Sequence, residues 1–75
     1  MSRPPIHDVP LAEAPIRLGQ FLKLAGLAED GAQARRLVED GAVQVNGRVE
    51  TRRGAQLQHS DVVAVGELRA RPVPS

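Results

Sequence analysis

The 25 residues from Asp30 to Gly54, DGAQARRLVEDGAVQVNGRVETRRG, carry punctuation that leaves the backbone few choices. Asp30 with Gln33 three residues later fits a variant capping box, because the aspartate can accept an otherwise unpaired N–H of the first helical turn. Gly41 suits the left-handed position that ends a helix. Asn46-Gly47 then marks a tight hairpin, since both residues tolerate positive φ. A helix therefore hands over almost at once to a β-hairpin. The helix turns Ala34, Leu37 and Val38 inward, and in the hairpin Val43 and Val45 alternate with polar neighbours before Val49 opens the return strand. Register is the difficulty. A two-residue turn would pair Val45 with Arg48 and put Val49 on the opposite face, which strands one valine from the core. A longer loop or a bulge is expected instead, with Arg48 pushed outward at the tip.

The rest of the chain supplies less. At 75 residues it is one domain at most, with a small core, and it has no cysteine to provide a disulfide or a thiolate zinc site. Leu18, Phe21, Leu22 and Ala25 recur at helical spacing, and Gly26 stops that first helix. Gly19 is a poor cap for its start, and Leu24 lies off the stripe. Leu57 and the run Val62 to Val65, after the turn His59-Ser60-Asp61, add strand material. Four of the six prolines fall within residues 1–15, so this segment is expected to be a flexible, extended N-terminal arm. Residues 68–75 are expected to form a flexible C-terminal tail, which leaves 16–67 as the folded domain. No run approaches the roughly 18 apolar residues of a membrane span, and MSRPPIHDVP lacks the apolar stretch of a signal peptide. A cytoplasmic protein is expected.

Net charge is only +1, so distribution matters more than the total. From Ile16 to Gly54 seven basic residues face five acidic ones, and nine of the ten basic residues in the chain are arginine, whose planar fork suits phosphate. At about 100° per residue, Arg35 and Arg36 fall on opposite flanks of the second helix, Arg35 near Glu39 and Arg36 near Asp40. Arg48, Arg52 and Arg53 follow in the hairpin and after it. The single aromatic residue, Phe21, argues against a platform that stacks successive unpaired bases on rings. His7 and His59 are too isolated for a metal site and read as solvated loop histidines. Glu29-Asp30 and Glu39-Asp40 are sequence neighbours at helix ends that point in different directions, so they make no acid/base pair. No nucleophile triad or phosphate-binding glycine loop is present, and no cofactor is expected.

The order helix, helix, hairpin, with AQARRLVEDGAVQVNGRV running through it, resembles the S4-type RNA-binding domain. It is most similar to the small stand-alone bacterial proteins of that family. Gln33-Ala34-Arg35, Gly41, the segment Val43 to Gly47 and Asp61 before the last strand carry the likeness. The resemblance implies an α+β fold in which a two-helix hairpin packs on a small, mostly antiparallel β-sheet, the αL motif, with the second helix and the hairpin forming an angled surface for structured RNA. It implies RNA contact at Gln33, Arg35, Arg36 and Arg48. Lys23, Arg52 and Arg53 extend that surface on charge grounds. One departure stands out: many family members begin this helix with Ser-Arg, where this chain has Asp30-Gly31, so a carboxylate stands at the helix start that would otherwise favour an anion. The expected function is a non-catalytic, monomeric RNA-binding module that docks on ribosomal or transfer RNA, with the ribosome as a further partner. The alternative is a protein-interaction adaptor, with an exposed Leu24, proline-rich arms and a sheet edge as its contacts and the arginines as solvated surface.

Overall fold

The computed structural model describes residues 5–75. Strands β1 (His7–Leu11) and β2 (Ile16–Arg17) lead into helices α1 (Leu18–Leu24) and α2 (Gly31–Glu39). Five strands follow: β3 (Val43–Val45), β4 (Arg48–Val49), β5 (Gln56–Leu57), β6 (Val63–Val65) and β7 (Leu68–Pro74). One sheet runs β1-β7-β6-β3-β4 and a second pairs β2 with β5. All pairings are antiparallel except β1 with β7, so the expected α+β arrangement of two helices on a mostly antiparallel sheet is what forms.

The helix signals act as the spacing requires. Asp30 accepts the Gln33 N–H at 2.8 Å, and the N–H groups of Gly41 and Ala42 turn back onto the carbonyls of Val38 and Leu37. Gly41 takes a φ of 73°, the left-handed turn that a side chain disfavours. Leu18, Phe21 and Leu22 of α1 meet Val38, Val43 and Val63, all fully buried. Each such side chain contributes about 1.5–3 kcal/mol on burial, which a domain this small needs.

Three expectations give way. The hairpin has a two-residue turn after all, with Val45 opposite Arg48 and Val49 opposite Gln44. Asn46 and Gly47 take φ of 53° and 84°, the conformation that matches strand twist, and its cost is the stranded valine: Val49 remains 57% exposed. The proline-rich ends are not arm and tail. His7 to Leu11 run parallel to Ala70 to Pro74, tied by Arg71 to Asp8 at 2.7 Å, while residues 1–4 of the expected arm lie outside the described residues. Proline is tolerated because β7 has neighbours on both sides only near its start. Its pairing with β6 ends at Ala70, before Pro72 and Pro74, and Pro10 sits on the edge strand β1. His59 also departs from a solvated loop residue, for it is half-buried with Nε2 3.1 Å from the Leu11 carbonyl.

Asn46 does more than turn the chain. Its amide donates to Asp61 at 3.1 Å and accepts the Val62 N–H at 2.9 Å, and the second carboxylate oxygen of Asp61 accepts the Gln58 N–H at 2.8 Å. Asn46→Asp sets two carboxylates against each other and should lower stability by about 1–2 kcal/mol. The exchange Asn46→Asp with Asp61→Asn restores every donor to an acceptor. In urea unfolding it should recover more than half of that loss.

Candidate nucleic-acid interface

Helix α1 begins without a side-chain cap: Arg17, at its N-cap, makes none. Its first N–H groups would be unsatisfied, and the loop after β4 supplies the acceptors. Leu18 donates to the Ala55 carbonyl at 2.8 Å and Gly19 to the Arg53 carbonyl at 3.1 Å. The loop is itself held by Glu50, whose carboxylate accepts both the backbone N–H and the Nε–H of Arg52 at 3.1 Å. The Arg52 hydrogen bonds hold the Glu50 carboxyl below its ordinary value. Capping the helix thus brings the Arg53 backbone to the start of α1.

The consequence is an open groove of about 630 Å³ between α1, the start of α2 and the loop. Arg17, Lys23 and Arg53 line it with Gln20, over a floor of Gly19, Gly31, Ala34 and Gly54. Three cations from three segments meet there and no carboxylate is in the lining. Among the described residues none of the three has an ion pair. Their charge is available to a ligand, and the small floor lets a polyanion approach the backbone.

The expected site residues divide accordingly. Lys23 and Arg53 are in the groove. Arg17 was missed, although Arg17, Gln20 and Lys23 at three-residue spacing lie within one third of the helix circumference and so share a flank. Gln33 serves the cap, its Oε1 accepting the Glu29 N–H. Arg35 is paired with Glu39 at 3.1 Å and Arg52 with Glu50. Arg36 and Arg48 are exposed and make no ion pair among the described residues, so Arg36 does not join Asp40. Arg48 lies on the edge strand rather than at a bulged tip. Among the described residues no cluster of three or more potential ligands could hold a metal ion.

Fold and groove together define a small α+β module with a concave cationic face. The chain belongs to the S4 domain family, whose pattern matches residues 9–71. That span takes in most of β1 and the first half of β7. Among the relatives, the tyrosine–tRNA ligase of Burkholderia lata is 38% identical over 65 residues, which are 85% of this chain and 16% of the ligase. The chain thus corresponds to a small part of those enzymes. The probable ribosome maturation protein RlbA of Bacillus subtilis is 42% identical over 50 residues, 67% of this chain and 70% of RlbA. The solution structure of YbcJ from Escherichia coli, which has an αL motif involved in RNA binding, superposes with a TM-score of 0.70 at 30% identity and covers 97% of this chain and 94% of YbcJ.

Two carboxylates are held below their ordinary values, Glu50 by Arg52 and Asp8 by Arg71. A depressed folded value means that the stabilisation is present above the ordinary values of 4.5 and 3.8 and is lost as pH falls below them. The urea midpoint should therefore fall on acidification through that window. An Asp8→Asn, Glu50→Gln variant should lose less over the same range.

Proposed function

We propose that this protein is a non-catalytic module that binds structured RNA, with Arg17, Lys23 and Arg53 as its principal phosphate contacts. The observation that carries this is the convergence of three unpaired cations on one groove free of carboxylates. Phosphate neutralisation supplies most of the sequence-independent affinity for nucleic acid, and cations already engaged by carboxylates contribute less to it. Arg36 and Arg48 extend the surface beyond the groove. Arg35 and Arg52, expected from the sequence as leading contacts, become secondary because Glu39 and Glu50 occupy them. Gln33 is secondary too, since its side chain caps α2.

The relatives narrow the class of RNA. A motif involved in RNA binding, a probable role in ribosome maturation and a ligase for transfer RNA all attach to proteins of similar sequence, which favours ribosomal or transfer RNA as the ligand. A cytoplasmic monomer acting on or near the ribosome fits this reading. Among the described residues no helix is long and apolar enough to cross a membrane. The adaptor alternative loses part of its support, because the sequences read as proline arms are largely strands of the sheet.

Filter binding to a folded ribosomal or transfer RNA fragment across a salt series tests the proposal. Log affinity should fall with log salt by about 0.7–0.9 per phosphate neutralised. Arg17→Ala, Lys23→Ala and Arg53→Ala should each reduce the slope by about one such step, whereas Arg35→Ala should change it less. Unchanged slopes in all three groove variants would remove the groove as the interface.

A further inference from the structure

A second depression of about 470 Å³ adjoins the cationic groove, and Arg17 and Gln20 line both. Its chemistry is different. Leu11, Pro15 and Leu24 give it an apolar side, and Glu13, Gln20 and Gln56 bring hydrogen-bonding side chains to it. Leu24 is 55% exposed although it sits on a helix whose inward positions are fully buried, so folding does not account for it. Among the described residues the side chains of Glu13, Gln20 and Gln56 have no hydrogen-bond partner. Apolar surface and hydrogen-bonding side chains thus meet in one open depression.

We infer that this depression receives one unpaired nucleobase of the RNA whose phosphates occupy the neighbouring groove. The inference rests on the RNA-binding reading. A phosphate site joined to an amide-edged apolar site matches the two chemistries that a single nucleotide carries side by side. Glutamine amides pair with the donor and acceptor edge of adenine, and a carboxylate accepts from an exocyclic amino group. Phe21 is fully buried in the core, so no ring is available as a stacking platform. The base lies against Leu24 and Pro15 with its edge toward Gln20 and Gln56. One nucleotide is held, not a run. Bases within an A-form duplex are hidden from such contacts, so the nucleotide comes from a bulge, loop or junction.

The test uses the full chain and three RNA hairpins: one fully paired, one with a single bulged fluorescent adenine analogue, and one with an abasic residue at the bulge. The bulged RNA should bind about fivefold or more tightly than the paired one, the lower end of what a well-made base contact discriminates. Its fluorescence should change on binding, and the abasic bulge should lose the preference. Leu24→Ala and Gln56→Ala, both at exposed positions, should bring the preference toward one and leave affinity and salt slope for the paired hairpin unchanged. Equal, salt-dependent binding of all three hairpins would overturn the base site alone, as would a preference that survives both substitutions. Absence of salt-dependent binding to any hairpin would overturn the RNA reading together with it.

Discussion

The bonds from Asn46 to residues 61 and 62 are the constraint on which the sheet depends. Asn46 makes three of them: its backbone N–H donates to the Val62 carbonyl at 2.7 Å, its side-chain oxygen accepts the Val62 N–H, and its side-chain amide donates to the Asp61 carboxylate. The chain separation is 15 residues, so the bond closes a long loop and fixes where β6 lies along β3. Register follows from it. Val63 falls opposite Val45 and Val65 opposite Val43, so the valines of both strands share one face of the sheet. A slip of one residue would turn Val63 out of the core. Because β6 also pairs with β7, and β7 with β1, the placement of the hairpin propagates across the sheet to the N-terminal strand.

The loop from Glu50 to Ala55 joins that framework to the groove. Its carbonyls complete the first turn of α1, which has no side-chain cap, and the same backbone brings Arg53 to Gly19, in the groove that Lys23 also lines. Helix capping and charge placement are thus one structural event. Glu50 is central because its carboxylate satisfies the backbone N–H of Arg52 as well as the guanidinium. Its side chain is only 21% exposed, against 79% for Arg52, so the pair acts at the loop base more than at the surface.

Legibility in the sequence follows the range of the interaction. The two helices, their glycine stops and the aspartate cap depend on neighbours within one turn, and Leu18, Phe21, Ala34 and Val38 showed their burial through spacing alone. The Asn46-Gly47 turn was legible too. Its register was not, because the valine alternation favours a longer loop that leaves no valine exposed, whereas turn geometry and the Asp61 bonds outweigh one exposed side chain. The terminal strands were illegible for a different reason. Proline argues against a central strand, and only the tertiary arrangement shows that β7 loses its second neighbour where its prolines begin. Arg17 escaped notice because its partners in the groove are Lys23 and Arg53, and the last of these arrives through a backbone bond across the fold.

Net charge near neutrality and a cationic groove are compatible because the carboxylates stand elsewhere: none of the described ones lines the groove, and three of the nine are engaged by arginines. Glu39 engages Arg35, Glu50 engages Arg52 and Asp8 engages Arg71, each on the helix, loop or strand where it stands. Those pairs remove both partners from the long-range field. Among the described residues Arg17, Lys23 and Arg53 lack such partners, so a local excess of positive charge stands where no described carboxylate lines the surface. At physiological ionic strength fields decay over about 8 Å, so a ligand meets this local excess rather than the molecular total. The position of Asp30 fits the same logic: its carboxylate is turned into the cap of α2, where the Gln33 N–H holds it, which limits the effect of the departure from a Ser-Arg start.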